Sequence, residues 1–544
     1  MQNGNVACVL AEDIDMNPPV DPIPSAPAPA VISKIDADSR EVELKFTTDA
    51  SGFAMALVSQ LLQPPEPNAR SRALTSVYFD TLAGDLKRHG MVLRVRRDGR
   101  CAPVMTLKWK LAETEGPFAR GEIEIRTRGL EPNLSLFDDA IAAKLKGLIE
   151  DRPLTAQFET RIKRRTRLLH VGASQIEVAF DDGVIVAGER SWPVTEIELE
   201  LKSGEAFDLY ELGGRLAEAL PVKLDVISKS ARAFTLASNE TPASVKTSPL
   251  RFPPNAMLDD AVAVVLASTL NHFVLNWAAL REGDHPESIH QMRVALRRMR
   301  AALAMFKRAL PCPEFDVFRA EAKRIASALG AARECDAFHN LVQDGPMAHF
   351  GAKMDFGPLL RALDERRDAV YGEARRLIDA PETTVFVIRM HAFLARRGWR
   401  NTLSGAELAQ LTEPAEVFAA NALERLHARA AKRGRKLASL PDEERHEVRI
   451  VLKNLRYAAE FFGGFFDNSK AVHTYVRSTA RLQDLLGAHN DAASAQGFLN
   501  AAEDVDAARA GGIVTGWYAR AVTLADAGLN DAWKAFKQAK QFWE

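Results

Sequence analysis

The stretch Glu41-Val42-Glu43-Leu44-Lys45-Phe46 alternates charged and apolar residues without interruption. Successive side chains of an extended strand point to opposite faces of a sheet. The stretch therefore predicts a strand with Glu41, Glu43 and Lys45 on one face and the apolar residues on the other. The charged face could meet solvent or line the inside of a closed barrel, and the later strands bear on that choice.

The same alternation recurs up to residue 202 and predicts a mainly antiparallel β-structure. Short turns connect most of the strands, which suits a closed barrel better than a parallel sheet with crossover helices. Helical segments are expected near 50–62, 82–88 and 135–149, followed by one at 204–221 and another that begins at Lys229. The predicted strands are 39–48, 73–80, 91–98, 103–110, 119–126, 157–169, 174–180 and 194–202.

The charged faces of these strands are sorted by sign. Arginine and lysine occupy some strands and glutamate others, and a face that only meets solvent does not need such sorting. A metal polyphosphate does need it, because cations bind phosphate oxygens and clustered carboxylates hold a hard divalent ion. The residues alone leave the solvent and lumen interpretations open. The sorted residues are Arg94, Arg96, Lys108 and Lys110, against Glu122, Glu124, Glu196, Glu198 and Glu200.

Length and composition limit the possible classes of protein. The chain has 544 residues, which is too long for one hydrophobic core, and its net charge of -1 excludes no partner. Its four cysteines lack the spacing of a zinc site or a disulfide framework. We find no signal peptide and no charge-free apolar run approaching 18 residues, and therefore expect a cytoplasmic protein without a membrane partner. Residues 1–36 are rich in proline and alanine and predict a disordered tail.

The ordered set of motifs from Glu41 to Arg232 resembles the CYTH superfamily, the triphosphate tunnel metalloenzymes. The first motif matches the ExExK signature of that family, and later ones include Tyr78-Phe79-Asp80-Thr81, Glu196-Ile197-Glu198 and Ser228-Lys229-Ser230-Ala231-Arg232. The resemblance implies an eight-stranded tunnel that binds a linear triphosphate together with Mg²⁺ or Mn²⁺.

The resemblance also implies roles for individual residues. On its spacing Arg164 faces the tunnel, whereas strand parity groups Arg165 with Arg161, Lys163 and Arg167, and a bulge would reverse the choice. Glu122, Glu124, Asp181 and Glu200 are possible further members of the site. The implied metal ligands are Glu41, Glu43, Glu196 and Glu198; the implied substrate-binding residues are Arg94, Arg96, Lys108, Arg164, Lys229 and Arg232; the implied catalytic residues are Lys45, Glu198 and Lys229.

Beyond a linker at 241–254 the pattern becomes helical and contains an internal repeat. The segment that begins Ser288-Ile289-His290-Gln291-Met292-Arg293 recurs as Arg445-His446-Glu447-Val448-Arg449, and both copies precede a Leu-Gly turn. The repeat predicts two related helical bundles, at about 255–400 and 401–544. The predicted helices are 257–281, 286–309, 314–330, 358–378, 383–397, 414–433, 442–464, 470–486 and 513–540.

Each repeat carries a cationic stripe, because positions i, i+3, i+7 and i+10 fall within roughly an 80° arc of a helix. Such a stripe can be an ordinary solvated face, but two copies with few acidic partners favour an anion-binding surface. The segment resembles the CHAD domain, which implies a helical fold that binds inorganic polyphosphate. The residues concerned are His290, Arg293, Arg297, Arg300 and Arg333, and His446, Arg449, Lys453 and Arg456.

The sequence thus predicts an α+β protein with an eight-stranded tunnel domain at 37–240 and an all-helical domain at 255–544. The expected function is hydrolysis of inorganic triphosphate to pyrophosphate and phosphate, with polyphosphate binding by the helices, no nucleic-acid partner and association with polyphosphate granules. Two alternatives stay open. The tunnel could act on nucleoside or thiamine triphosphates or cyclise ATP, or the protein could bind polyphosphate without catalysis.

Overall fold

A computed structural model describes residues 40–63, 70–99, 101–111, 116–150, 152–238, 240–283, 285–489, 492 and 505–544. The predicted tail at 1–36 lies outside these residues. The described part is an antiparallel barrel followed by helices, so the predicted α+β class is confirmed.

The barrel consists of eight strands that close on themselves. Their order is β5-β4-β3-β2-β6-β7-β8-β1, and β1 completes the circle because residues Arg40–Val42 pair with β5 while Glu43–Thr47 pair with β8. A three-residue strand, β9 (Lys223–Asp225), adds to the free side of β1. The strands are β1 Arg40–Thr47, β2 Arg70–Asp80, β3 Met91–Asp98, β4 Val104–Lys110, β5 Ala119–Arg126, β6 Thr155–Val171, β7 Ser174–Ala187 and β8 Arg190–Ser203.

On most strands the apolar face points outward, where helices cover it. Strand β6 differs, because Arg161, Lys163 and Arg165 on its outer face are exposed. Leu44 and Phe46 of β1 are fully buried under a helix at Ala206–Ala219. The approach is so close that a Cβ atom on Gly213 would lie 2.4 Å from Leu44 Cδ1, so a larger residue here would force the buried Leu44 side chain to move. Because the outside of the barrel carries the apolar side chains, the charged faces are left for the lumen. The helices of this region are α1 Ala50–Val58, α2 Asp85–Arg88, α3 Asp139–Ile149, α4 Ala206–Ala219 and α5 Lys229–Ser238.

The second region is entirely helical among the described residues. The predicted helices are present, and the predicted Leu-Gly turn at Leu329 separates the helix at Pro313–Ala328 from a further helix at Gly330–Val342. The helices are α6 Leu258–Leu275, α7 Trp277–Glu282, α8 Pro286–Phe306, α9 Pro313–Ala328, α10 Gly330–Val342, α11 Ala348–Phe350, α12 Gly357–Asp379, α13 Pro381–Ala395, α14 Gly405–Gln410, α15 Ala415–Arg433, α16 Asp442–Phe462, α17 Ser469–Leu485 and α18 Val505–Gln538.

One segment corrects the expectation about apolar runs. Residues 261–280 contain no Asp, Glu, Lys or Arg, and Leu258–Glu282 has the length and mean hydropathy, 1.4, of a membrane-spanning helix. In the structure 67% of that apolar window is buried, because α6 packs against α8 and α13. The prediction that the chain has no such run is therefore wrong. The apolar side chains of this segment form part of the core of the helical region.

The two regions share a packed interface. Helix α4 of the barrel region lies along α13 of the helical region, where Gly214 faces Ile388. The segment predicted as a linker follows the helical surface: the Val245 backbone N–H donates to Asn276 Oδ1 at 2.9 Å, and Phe252 stacks on Phe465 with ring centroids 4.1 Å apart. The linker is thus held at two points along the helical region.

Candidate functional site

The basic wall of the lumen lies on β3 and β4. Lys108 Nζ is 2.6 Å from Glu41 Oε2 and 3.1 Å from Glu122 Oε1. Arg94 lies 3.7 Å from Glu122, and Arg96 is 3.0 Å from Glu124. These cations therefore stand opposite carboxylates of β1 and β5 inside the barrel, as the lumen interpretation requires.

A second charged centre surrounds Lys229, which enters the lumen from the first turn of α5. Its Nζ lies 2.9 Å from Asp181, 2.5 Å from Glu196 and 2.6 Å from Glu198, and its side chain is 11% exposed. Burial alone would raise the pKa of the Glu198 carboxyl, but Lys229, Arg164 and Lys45 together lower it well below the ordinary value. Glu198 is therefore ionised and available as an acceptor.

The structure decides between the two candidate arginines of β6. Arg164 is directly opposite Asp181 in the β6–β7 ladder, and its Nε and Nη2 donate to the two Asp181 oxygens at 2.7 and 2.6 Å. Arg165 is exposed on the outer face. No register shift interrupts the β6–β7 pairing, so ordinary alternation gives one tunnel arginine here.

Three of the four predicted metal ligands, Glu41, Glu196 and Glu198, lie in two groups of three carboxylates. Within each group the candidate ligand atoms lie within 4.8 Å of one another. Oxygen-only donors of this kind suit a hard divalent cation such as Mg²⁺ or Mn²⁺. Two possible further members of the site, Glu122 and Glu200, belong to the first group, and a third, Asp181, belongs to the second. The groups are Glu41, Glu122 and Glu200, and Asp181, Glu196 and Glu198.

Glu43 belongs to neither group. It lies 3.7 Å from Lys45, which is itself 3.6 Å from Glu198. Burial and then the charge of Glu198 raise the pKa of Glu43 to about 8. A carboxyl with this pKa is mostly protonated at neutral pH, which sets Glu43 apart from the ionised Glu198.

Arg232, for which the resemblance implies substrate binding, is paired with two carboxylates in the structure. Its Nη1 donates to Glu196 Oε1 at 3.2 Å and its Nη2 to Asp225 Oδ2 at 2.6 Å. Arg232 therefore contacts a candidate metal ligand, Glu196, and its Nη1 and Nη2 groups both donate to carboxylates. Asp225 was absent from the predicted site, because the short strand that carries it has no alternation to mark it.

The basic stripes of α8 and α16 form one surface, here called the basic groove. Burial and then Arg297, Arg449, Arg456 and Arg293 lower the pKa of the Lys453 ammonium to about 7, which places cations of both helices around it. Within the described ranges Arg297, Arg300 and Lys453 have no acidic partner, and the Nε atoms of Arg297 and Arg300 are buried without a hydrogen-bond acceptor. Cations brought together without counter-charges are suited to bind an anion.

Two arginines of the stripes have structural contacts instead. Arg293 donates to the carbonyl of Ala326 in the last turn of α9, and Arg449 donates to the carbonyl of Gln483 in the last turn of α17 at 3.4 Å. Carbonyls at a helix C-terminus lack intrahelical donors, so a nearby arginine stabilises them. The corresponding residues of the two predicted repeats therefore make the same contact.

The remaining stripe residues differ between the two predicted repeats. His290 is half-buried, and burial followed by Arg333, Arg297 and Arg293 lowers its pKa to about 3, so its imidazole is neutral at physiological pH. His446 is exposed at the start of α16. Arg456 lies 3.5 Å from Glu460 and thus has an acidic neighbour.

A closed barrel whose lumen holds paired cations and carboxylates, joined to helices with a basic groove, defines a two-domain protein. Residues 39–234 match the CYTH domain and residues 264–500 match the CHAD domain. The chain therefore carries a CYTH domain followed by a CHAD domain, and the resemblance drawn from its motifs is confirmed.

Relatives of known sequence include proteins that match most of the chain and proteins that match one part. An uncharacterised protein of Mycobacterium tuberculosis is 27% identical over 488 residues, which cover 83% of this chain and 86% of the relative. An inorganic triphosphatase of Haemophilus influenzae is 33% identical over 178 residues, which cover 31% of this chain and 47% of that protein. Among solved structures, the CHAD domain from the plant Ricinus communis is 26% identical with a TM-score of 0.45, covering 55% of this chain and 98% of that chain.

Proposed function

We propose that the CYTH domain, at 37–240, hydrolyses inorganic triphosphate to pyrophosphate and phosphate with Mg²⁺ or Mn²⁺, and that the CHAD domain, at 255–544, binds inorganic polyphosphate. The observation that carries the proposal is the arrangement of the lumen, where a basic wall faces two groups of three carboxylates. The similarity to an inorganic triphosphatase of Haemophilus influenzae supports the choice of substrate.

The basic residues of the lumen would hold the phosphate chain. Lys108, Arg94 and Arg96 are now paired with carboxylates, and an entering triphosphate offers them oxygens of higher charge density in exchange. Arg164 and Lys229 lie beside the Asp181 group and would bind phosphate oxygens next to it. Fixed cations of this kind also stabilise the charge that develops on the leaving pyrophosphate.

The two carboxylate groups would hold the divalent ion. A bound Mg²⁺ or Mn²⁺ supplies charge neutralisation of phosphate oxygens and acidifies a coordinated water. Lys45, between Glu43 and Glu198, would offset the negative charge of Glu198 and of Glu43 once Glu43 is ionised. Glu43 would lose its proton as a cation arrives nearby, since a positive charge favours the ionised carboxylate.

The basic groove would bind polyphosphate through unpaired guanidinium and ammonium groups. Arginine and lysine recognise phosphate oxygens without a base or sugar, and few aromatic side chains interrupt the stripes, which disfavours single-stranded nucleic acid. Both domains would thus recognise repeating phosphate. We place the protein in the cytoplasm, at polyphosphate granules, with no nucleic-acid or membrane partner.

Phosphate release by the full chain tests the catalytic proposal. Inorganic triphosphate, ATP and thiamine triphosphate are compared with Mg²⁺, with Mn²⁺ and with a chelator. We expect the highest kcat/KM for inorganic triphosphate and no turnover with the chelator. Much faster turnover of ATP or thiamine triphosphate, or turnover that survives the chelator, would overturn the assignment.

Equilibrium binding of polyphosphate tests the proposal that the CHAD domain binds this polymer. The groove variant combines Arg297→Ala, Arg300→Ala and Lys453→Ala. Its control removes the same charge from exposed positions of α18 and its end, with Lys534→Ala, Lys537→Ala and Lys540→Ala. We expect the groove variant to bind at least about ten-fold more weakly than the control, because its cations act in a partly buried setting. Equal loss in both variants would mean that attraction is non-specific.

A further inference from the structure

One arginine of the CHAD domain reaches into the CYTH domain. Arg281 lies in the last turn of α7, where its Nε donates to Asp379 Oδ1 of α12 at 2.8 Å. Its Nη1 donates to the backbone carbonyl of Leu224 at 2.8 Å. Leu224 is the middle residue of β9, so this hydrogen bond crosses from the helices to the edge strand of the barrel.

Strand β9 is placed against the strand that carries the ExExK motif. Asp225 pairs with Lys45 in the β1–β9 ladder. Its carboxylate is 3% exposed, accepts from the Ile227 backbone N–H at 2.9 Å and receives Arg232 at 2.6 Å. The position of β9 therefore determines where Arg232 is held.

Arg232 completes a continuous set of contacts to the lumen. It donates to Glu196 at 3.2 Å, and Glu196 is fully buried in the carboxylate group with Asp181 and Glu198. Each link from Arg281 through β9, Asp225 and Arg232 to Glu196 is a backbone connection or a hydrogen bond of 3.2 Å or less. A contact on the helical side is thus joined to a candidate metal ligand.

We propose that Arg281 is a positioning residue of the CYTH site, through which the CHAD domain fixes the orientation of Glu196. Groups behind a metal ligand hold it in the binding orientation, and their loss commonly costs between about 10-fold and 100-fold in metal affinity. The inference rests on the proposed function only in treating Glu196 as a metal ligand.

The surrounding contacts allow the protein to fold without this side chain. Lys223 of β9 pairs with the same Asp379 at 2.7 Å, and the β1–β9 ladder does not involve Arg281. In Arg281→Met, β9 therefore stays paired with β1 but loses the hydrogen bond that fixes its position against the helices. The expected consequence is a less well-defined Glu196 and not a missing strand.

Manganese binding by the substrate-free full chain tests this role, with free Mn²⁺ followed by electron paramagnetic resonance. We expect Arg281→Met to raise the Kd for Mn²⁺ about ten-fold, and Arg281→Lys to recover part of that loss. The matched control is Arg396→Met, which removes another CHAD-domain arginine at the interface, one that stacks on Phe207 at 4.6 Å and touches no part of β9. The control should keep the wild-type Kd.

The outcomes separate this inference from the proposed function. If wild-type protein binds Mn²⁺ and Arg281→Met binds it equally well, the positioning role is refuted while the metal site stands. If wild-type protein does not bind Mn²⁺, the metal site itself is refuted and the inference falls with it. Should Arg281→Met fail to fold, Asp379→Asn decides, because it removes the carboxylate that orients both Arg281 and Lys223. Unchanged Mn²⁺ affinity in that variant would equally overturn the proposal.

Discussion

Replacement of Lys229 by methionine should strongly destabilise the metal-free protein. The ammonium group is within 2.9 Å of three carboxylates, and both Asp181 and Glu196 side chains are fully buried. Removing one partner of a buried ion pair typically costs about 3 to 5 kcal/mol, because the remaining charge is left uncompensated. For a domain of this size a loss of about 3 kcal/mol lowers the melting temperature by roughly 10 °C.

Divalent metal should partly reverse this effect. The carboxylates that lose Lys229 form a candidate metal group, so Mn²⁺ can supply the missing positive charge. Thermal unfolding with a chelator and with Mn²⁺ measures both quantities, and Mn²⁺ should raise the melting temperature of Lys229→Met more than that of the wild type. Triphosphate turnover should stay low even with metal, since the ammonium group also binds substrate.

A matched control is Lys202→Met in the same barrel. Lys202 pairs with Glu200 at 2.5 Å but is 39% exposed, so its loss should cost about 1 kcal/mol or less. The predicted role of Lys229 fails if Lys229→Met melts like this control in the presence of a chelator. It also fails if Mn²⁺ stabilises the Lys229 variant no more than the wild type.

Three further predictions concern the arginines and the groove lysine. Arg164→Ala should reduce triphosphate kcat/KM at least about 100-fold, whereas Arg165→Ala on the outer face should leave kcat/KM nearly unchanged. Similar losses in both variants would contradict the assignment of Arg164 to the lumen and Arg165 to the outside of the barrel. Arg297→Ala should weaken polyphosphate binding without lowering the melting temperature. Arg293→Ala should lower the melting temperature, because the C-terminus of α9 loses the hydrogen-bond donor of its Ala326 carbonyl. The reverse pattern would refute the assignment of Arg297 to binding and of Arg293 to stability. Polyphosphate should bind more weakly at pH 8.5 than at pH 6.5, because Lys453 has a pKa of about 7 and is mostly charged only below that pH. At a higher pH, Lys453 must take up a proton from solvent when the anion binds, and this weakens binding. A Kd that is the same at both pH values, or a pH dependence that persists in Lys453→Arg, would contradict this linkage.

Much of the barrel could be predicted because burial on one face imposes a period of two on each strand. Strand β7 shows where that signal ends: it was expected to stop at 180, before Asp181-Asp182-Gly183, which resembles a turn. In the structure Gly183 continues the strand, and a Cβ there would lie 2.1 Å from the Arg161 carbonyl oxygen. Close backbone approach, which sequence periodicity does not report, explains the glycine.

The candidate site was less predictable than the strands that carry it. Parity and family spacing place the lumen residues on the inner face, but the grouping of carboxylates depends on which strands are neighbours across the barrel. The contacts of Arg232 with Asp225 and of Arg293 with Ala326 arise only after distant segments pack. A cationic stripe therefore predicts the surface, whereas tertiary structure decides which of its members are free to bind.

Anomalous diffraction from crystals of the full chain soaked with Mn²⁺ and a non-hydrolysable triphosphate analogue tests the central claim most directly. We expect an anomalous peak beside Asp181, Glu196 and Glu198, with the analogue between that peak and Lys108. An analogue found only in the basic groove, or a lumen that stays free of manganese, would contradict it.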